Sequence, residues 1–440
     1  MKVRGLLAAT LVLLALAVGV YLSNKQKAAE AAKPPSDAPP KILTLTDTEV
    51  TKIALKKKDA EPIVLEKNAS GKWELTSPKN YRADQDVAGQ LANALSNVTA
   101  DKLIEDKATD LASFGLQPPS EEIDIFTKNG KNKVLRVGDD APANAGTYVT
   151  LDGDPRLFTI PTYTKSNIDR PLNDLRDKRL LTFDQDKLSR VELIAKKQDI
   201  EFGRDKDQWQ IVKPGPYRAD GLQVDELIRK VKDAKMDLTV SDEDAKKAAA
   251  SFGSGTPVAT VKVTDPSGTQ QLEVRKVKDD YYAKSSAVDG VHKVTTELGT
   301  GLDKNVDDFR NKKLFDFGFN DPNKIEMHAN GKTYAFQKTG EDWFANGKKM
   351  DNISVQSLID KLRDLTASKF IDSGTFGTPI LDATVTSNDG KRVEKVLISK
   401  QGNDYIAKRE NEPALYALDS KNVDDLSKAA SDVKEAPKKK

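Results

Sequence analysis

The sequence predicts an α+β protein in which three tandem units follow an N-terminal transmembrane helix. One observation is an uncharged apolar run from Gly5 to Leu22, and the other is a set of three tryptophans spaced 136 and 134 residues apart. The tryptophans are Trp73, Trp209 and Trp343. Repetition at a fixed period indicates one supersecondary unit used several times. Each unit is expected to be an antiparallel β-meander with one long amphipathic helix and a shorter helix.

The N-terminal run is typical of a membrane anchor. Its 18 residues would form a helix of roughly 27 Å, close to the thickness of a bilayer's hydrocarbon core. Lys2 and Arg4 precede the run and favour a cytoplasmic N-terminus, with the rest of the chain outside the inner membrane. The alternative is a cleaved signal peptide, since Ala15 to Ala17 resembles a cleavage site. Both interpretations export the rest of the chain.

Changes in composition and the ends of the repeated pattern divide the chain. The anchor or signal segment covers residues 1–22, and a linker rich in Pro and Ala is expected at 23–41. The three repeat units are expected at 42–181, 182–315 and 316–430, and a basic disordered tail at 431–440.

The same order of elements follows each tryptophan. The string "YRAD" occurs at 81–84 and 217–220, and "KKMD" takes its place at 348–351. An aspartate ends each string and precedes a helical apolar pattern, where it can accept hydrogen bonds from free backbone N–H groups. These aspartates are Asp84, Asp220 and Asp351.

A Phe-Gly pair with a nearby proline comes next in each unit and is expected to end a helix and start an extended segment. The glycines are Gly115, Gly253 and Gly377. Alternating strands separated by Gly, Asp or Asn turns then complete each meander.

A further motif, the joint motif, lies where one unit meets the next. "LRDKRLL" (Leu175 to Leu181) ends the first unit and "FRNKKLF" (Phe309 to Phe315) ends the second, whereas the third unit has no counterpart. Two interpretations are open. The motif is either a hinge whose apolar residues dock both neighbours, or the first strand of the following unit.

Composition excludes several kinds of chemistry. The chain has 70 Lys and Arg against 68 Asp and Glu, so it lacks the broad basic surface expected of a nucleic-acid-binding protein. It has no cysteine, which excludes disulfides, thiolate nucleophiles and cysteine-ligated zinc. His292 and His328 lie in different units at positions that do not correspond. No catalytic residue, cofactor or metal site is therefore predicted.

Carboxylates are the remaining candidates for metal binding or catalysis. "VGDD" (Val137 to Asp140) and "DGDP" (Asp152 to Pro155) could bind a hard cation or act as a glycosidase pair. Both strings lie in expected hairpin turns, where Asp and Gly are favoured for backbone reasons. We therefore expect turns at both strings.

The two YRAD strings allow two interpretations of their arginines. Arg82 and Arg218 could face an anionic partner as a repeated recognition site. Alternatively, each arginine holds a local carboxylate while the Trp and Tyr pack beneath the helix. The third unit favours the structural interpretation, because it keeps Trp343 and Asp351 but has no Tyr at this string.

Several of these strings resemble the bacterial "domain of unknown function 4340" family. The resemblance lies in the Trp, the Pro-Tyr-Arg-Ala-Asp segment, the helix, the Phe-Gly-Leu-x-Pro string at Phe114 to Pro118 and the Arg-Asp-Lys-x-Leu-Leu end, and covers roughly 45–430. It implies a membrane-anchored extracytoplasmic protein. Genes of such proteins often lie beside those of ABC-2-type transporters and a gliding-motility-like component. The family has no established catalytic residues to transfer.

The expected function is that of a non-enzymatic, membrane-tethered periplasmic protein with an extended protein-interaction surface. Its expected partners are the inner membrane, through residues 5–22, and an envelope protein such as a transporter subunit. One alternative is a glycan- or lipid-binding module that uses tyrosines as stacking surfaces; another is a carboxylate-based envelope hydrolase. The tyrosines are Tyr148, Tyr281, Tyr282 and Tyr405.

Overall fold

A computed structural model of the chain describes residues 40–437 apart from 131, 206–207 and 320–321. The predicted anchor, nearly all of the predicted linker and the last three lysines lie outside the described residues. The chain divides into two compact units, Met1–Lys178 and Arg179–Lys440. The first holds one large sheet, and the second holds two.

The first unit contains a nine-stranded antiparallel sheet in the order β5-β4-β3-β2-β8-β9-β10-β11-β7 and a two-stranded sheet of β1 and β6. Its strands are β1 (Lys41–Thr44), β2 (Val50–Lys57), β3 (Ile63–Lys67), β4 (Trp73–Ser77), β5 (Tyr81–Arg82), β6 (Asn97–Thr99), β7 (Lys102–Glu105), β8 (Glu121–Thr127), β9 (Asn132–Asp140), β10 (Thr147–Leu151) and β11 (Leu157–Ile160).

The second unit contains an eight-stranded sheet, β15-β14-β13-β12-β16-β17-β18-β19, and a nine-stranded sheet, β23-β22-β21-β20-β25-β26-β27-β28-β24. The strands of the former are β12 (Arg190–Ala195), β13 (Gln198–Asp205), β14 (Gln208–Lys213), β15 (Tyr217–Arg218), β16 (Thr256–Asp265), β17 (Gly268–Val277), β18 (Asp280–Ser285) and β19 (Val291–Val294). Those of the latter are β20 (Lys324–Ala329), β21 (Lys332–Thr339), β22 (Asp342–Ala345), β23 (Lys348–Lys349), β24 (Lys369–Ile371), β25 (Pro379–Ser387), β26 (Arg392–Gln401), β27 (Asp404–Arg409) and β28 (Leu415–Leu418).

The predicted α+β class is wrong, because the chain is predominantly antiparallel β. Strands take up 44% of the described residues and helices 23%, against roughly 20–25% and 30–35% in average globular proteins. The sequence pattern underestimated the sheets because several edge strands, such as β5 and β15, have only two residues and therefore show no alternation.

The helices are short and cover the sheets. A 12-residue helix follows the two-residue strand of each large sheet: α1 (Gln85–Ser96), α4 (Gly221–Lys232) and α7 (Asn352–Arg363). The others are α2 (Thr162–Ile168), α3 (Leu172–Leu175), α5 (Asp242–Phe252), α6 (Thr296–Leu302) and α8 (Ser420–Ser431). Among the described residues, no helix is long and apolar enough to span a bilayer. The predicted span at 5–22 lies outside that range.

An aspartate caps each of the three helices that follow a two-residue strand, α1, α4 and α7. The carboxylate of Asp84 accepts hydrogen bonds from the backbone N–H groups of Asp86 and Val87 at 3.1 Å. Asp220 and Asp351 bind first-turn N–H groups of α4 and α7 in the same way. Because these groups have no partner inside the helix, the aspartates fix where each helix begins.

The three Phe-Gly pairs differ in structure. Gly115 has a φ of +65°, and a Cβ there would lie 2.3 Å from the Asp139 carboxyl carbon, so the position requires glycine. Gly253 follows α5 in a right-handed helical conformation. Gly377 lies in an irregular stretch between β24 and β25.

Three clusters of buried apolar residues fill the space between helices and sheets, and each contains one tryptophan. Trp73 is buried beneath the start of α1, where its backbone N–H donates to the side-chain carbonyl of Gln85 at 2.9 Å. In two of the three clusters, a cation from the neighbouring strand lies over the tryptophan ring: Lys67 over Trp73 and Arg204 over Trp209. Each tryptophan thus links a β-strand to a core.

Replacing Trp73 by Ala should lower the unfolding free energy of the first unit by about 3 to 5 kcal/mol, because it removes a large buried ring and leaves a cavity. Urea denaturation followed by circular dichroism measures the loss. Trp209→Ala is the matched change in the second unit and should spare the first. A loss near zero for Trp73→Ala would contradict the buried position of the ring.

Candidate functional site

The YRAD strings form the corner where a strand meets the capped helix. Tyr81 and Arg82 form β5 and pair with Leu75 and Glu74 of β4. Equivalent pairings place Tyr217–Arg218 beside β14 and Lys348–Lys349 beside β22. The three strings therefore occupy the same place at the edge of each large sheet.

A short closing segment pairs with each corner from the other side. The Asp84 N–H donates to the Leu175 carbonyl at 2.8 Å, and the Asp177 N–H donates to the Arg82 carbonyl at 2.9 Å. The same two bonds join Asp220 to Phe309 and Asn311 to Arg218, and also join Asp351 to Lys434 and Ala436 to Lys349. The closing segments are thus 175–177, 309–311 and 434–436.

The third closing segment was missed in the sequence. Lys434 to Ala436 share no side-chain pattern with "LRD" or "FRN", but they form the same backbone bonds. These residues fall in the stretch that the sequence assigns to a disordered tail. Only backbone groups carry this equivalence, so a comparison of side chains could not find it.

A side-chain pair reinforces each closing segment. The guanidinium of Arg176 lies 4.1 Å from the ring centre of Tyr81, and that of Arg310 lies 4.1 Å from the ring centre of Tyr217. In the third corner, Lys348 forms an ion pair with Glu435 at 2.5 Å. A stacked cation–π pair is thus replaced by a salt bridge, which accounts for the absence of the third tyrosine.

The second half of the joint motif has a different role. Leu180 N–H donates to the Ala234 carbonyl, and Leu314 N–H donates to the Leu365 carbonyl, both at 2.9 Å. The acceptors follow α4 and α7, the helices of the next sheet along the chain. In the first unit, β1 forms the equivalent pairing with β6, the strand that directly follows α1. Both interpretations of the motif are therefore partly right: its first half closes one sheet and its second half begins the next.

Arg218 lies within the second unit, where the two large sheets meet, with only 16% of its side chain exposed. Its Nη2 donates to the Lys313 carbonyl at 2.6 Å, and its Nη1 lies 3.3 Å from Asp316. Its Nε lies 2.7 Å from Glu412. Burial alone would lower the pKa of Arg218, but Glu412, Tyr416 and Asp316 raise it above its ordinary value. The guanidinium stays charged because carboxylates surround it.

Further charged residues of the third sheet extend this cluster. Arg409 pairs with Glu412 at 2.7 Å and with the buried Glu394 at 3.1 Å. Tyr416 donates its hydroxyl proton to Glu412 at 2.6 Å, and both burial and this bond raise its pKa. Arg218 is therefore one member of a network of opposite charges drawn from the second and third sheets.

Arg310 forms a second set of contacts between the same two sheets. It is buried, and its guanidinium lies between the rings of Tyr217 and Phe370, 3.7 Å from the centre of the latter. Its Nη1 also pairs with Asp307 at 3.0 Å and Asp372 at 2.9 Å. Sequence reasoning missed this residue, although an arginine at the same place in both joint motifs was a signal.

The two arginines proposed for recognition thus differ. Arg218 is enclosed by the network, and its geometry supports a structural role. Arg82 keeps 34% of its side chain exposed and lies 3.9 Å from Asp177. Arg82 is therefore the more accessible of the two to an anionic partner.

The candidate carboxylate pairs do not converge. The expected turn at Val137 to Asp140 is wrong, because these residues form the end of β9, whereas a turn does lie at Asp152 and Gly153. Asp140 pairs with Lys165 at 2.8 Å and Asp154 with Arg156 at 2.6 Å, and these hydrogen bonds hold the pKa of both carboxyls below the ordinary value. A glycosidase acid requires a raised pKa. The histidines are also apart: the His292 ring lies against the Asp289 carbonyl and His328 pairs with Asp382. Within the described ranges, no three His, Cys, Asp or Glu side chains form a metal-binding group.

The predicted stacking tyrosines are partly or fully buried. Tyr148 packs edge-on against Phe114 with ring centres 4.8 Å apart, and Tyr281 packs on the core of the second sheet. Tyr405 belongs to the core of the third, and Tyr282 is half-buried. None of the four is exposed, as a sugar-stacking ring would be.

The exposed apolar side chains form a different pattern. Leu222 and Ile353 are each 80% exposed and are the second residues of α4 and α7. Leu222 borders a groove of about 720 Å³ that Trp209 and Arg204 also line. Ile353 borders a groove of about 400 Å³ between α7 and α8. The corresponding residue of α1 is the exposed Asp86, so this apolar pattern belongs to the second unit.

These features define a class of protein built from consecutive antiparallel sheets whose corners are closed by the segment that follows each meander. The family model "Domain of unknown function (DUF4340)" matches residues 73–211 and 209–383, with each match beginning at a tryptophan. The chain belongs to this family. No curated protein and no solved structure matches it.

Replacing Arg218 by Met should lower the unfolding free energy of the second unit by about 3 kcal/mol, because Glu412 and Asp316 lose a buried cation. The matched change Arg82→Met should cost less, since the Arg82 side chain is more exposed and its pair with Asp177 is longer. Urea denaturation followed by tryptophan fluorescence measures both effects. Equal losses for the two variants would contradict the structural role of Arg218.

Proposed function

We propose that this protein is a non-enzymatic, membrane-tethered extracytoplasmic protein that binds another envelope protein through its second unit. The apolar run from Gly5 to Leu22 supports the tether. The resemblance of the YRAD and joint motifs to their family supports a transporter subunit as the partner. The observation that carries the interaction role is the matched exposure of Leu222 and Ile353.

Single exposed leucines are common on protein surfaces and need no explanation. An exposed aliphatic residue at the same position of α4 and α7, the helices of two consecutive sheets, is a stronger observation. Each side chain forgoes about 1.5 kcal/mol or more of possible burial, and each stands beside a groove. Phe319, which is 93% exposed, adds a third apolar group to the second unit. An extended partner that contacts both helices would bury these groups together.

The identity of the partner can be tested by site-specific cross-linking in native membranes. A photoreactive amino acid placed at Leu222 or Ile353 should yield adducts with a transporter subunit. Val393, which is 60% exposed on β26, provides the control position. Adducts at Val393 equal to those at the two helix positions would contradict the proposed surface.

The energetic role of the surface requires a second measurement. The double variant Leu222→Asp, Ile353→Asp should reduce co-purification of the partner by about tenfold or more, because two apolar anchors are lost. Val393→Asp should leave co-purification unchanged. If the double variant retains the partner fully, this surface does not bind it.

A further inference from the structure

Glu121 is a buried carboxylate that none of the networks described above uses. It is the first residue of β8, is 4% exposed, and its Oε1 has no hydrogen-bond partner. It alternates with Ile123 and Ile125, which belong to the core of the first sheet. A carboxyl group in this place is costly unless it carries a proton or meets a cation.

The two sheets of the second unit have apolar residues at the same position. Lys57 of β2 lies opposite Glu121 in the ladder. The matching pairs are Ala195 opposite Ala259 and Ala329 opposite Leu381. Packing of the meander therefore does not demand a carboxyl group there, and of the three large sheets described only the first carries one.

Charged residues of β2 and α2 face this carboxyl group. Lys57 forms an ion pair with Asp169, the residue directly after α2, and Lys165 on α2 pairs with Asp140 of β9 at 2.8 Å. Both lysines thus already have a carboxylate partner. Burial and the negative charge of Asp169 raise the pKa of Glu121 to about 7, although the two lysines oppose this rise.

We propose that α2 is a pH-sensitive latch: it packs over the end of the first sheet while Glu121 is protonated, and it detaches when Glu121 loses its proton. An ionised Glu121 has no cation of its own, so either Lys57 must leave Asp169 or water must enter beneath α2. Both changes break contacts that hold the last turn of the helix.

The sign of the effect follows from linkage. The pKa of Glu121 is about 7 in the closed state, against an ordinary value of 4.5, so the closed state binds the proton more tightly. Closure is therefore most favourable below pH 4.5 and weakens as the pH rises to 7. Above pH 7 both states are ionised and no further change occurs.

A buried thiol can report the opening, since the chain contains no cysteine. The variant Ile168→Cys places the thiol at the last position of α2. Leu302→Cys is the matched control at the last position of α6, whose sheet has Ala259 in place of Glu121. Both parent residues are fully buried. The rate of reaction with a dipyridyl disulfide is measured at pH 5 and pH 7.5 and divided by the rate for the unfolded chain.

The corrected rate of the Ile168→Cys variant should rise roughly 50-fold between the two pH values, and the rate of the Leu302→Cys variant should not change. The same rise in both variants, or in neither, overturns the proposal.

Glu121→Gln gives a second test that requires no thiol. The melting temperature of the first unit should fall between pH 5 and pH 7.5 in the unmodified chain, because the proton that stabilises the closed state is lost. It should stay constant in the Glu121→Gln variant. If both proteins show the same pH dependence, Glu121 is not the switch.

Discussion

Each corner of this structure depends on one aspartate that is bonded in two directions. The carboxylate of Asp84 caps α1, while its own backbone N–H donates to the closing segment. Asp220 and Asp351 form the same two kinds of bond. A single residue therefore fixes the start of the helix, the end of the preceding two-residue strand and the place where the chain returns after the meander. The closing segment lies about 90 residues further along the chain, so each corner is a long-range contact that spans the whole meander.

This constraint explains which features of the repeated string are kept and which vary. The aspartate and the tryptophan occur in all three corners because one forms the cap and the other joins a strand to the core. The tyrosine packs against the core and stacks on the arginine of its closing segment. Where the closing segment carries Glu435 instead, Lys348 replaces the tyrosine. The third corner is thus a complete corner with different side-chain chemistry.

The sequence was sufficient to predict the order of helices and strands around each tryptophan and the family to which the chain belongs. It was insufficient for the fold class, because two-residue strands such as Lys348–Lys349 exist only through pairing with a neighbour. The arginine network at Arg218 was equally inaccessible, since Asp316 and Glu412 lie about 100 and 200 residues away in the chain. Glu121 gave no signal for another reason: an acidic residue at the start of a strand is ordinary until its neighbours bury it.

Several arginines of this molecule therefore contribute to contacts between sheets and are not available for partner recognition, which the composition did not indicate. Of the two arginines that resembled recognition residues, Arg218 is paired with carboxylates where the second and third sheets meet. Arg310 is enclosed there between two rings. An isolated buried ion pair contributes little net stability, because desolvation offsets its attraction. The geometry of such pairs is nevertheless strict, and a misaligned sheet would leave several buried charges without partners. The network at Arg218 thus favours one alignment of the two sheets, whose helices α4 and α7 carry Leu222 and Ile353.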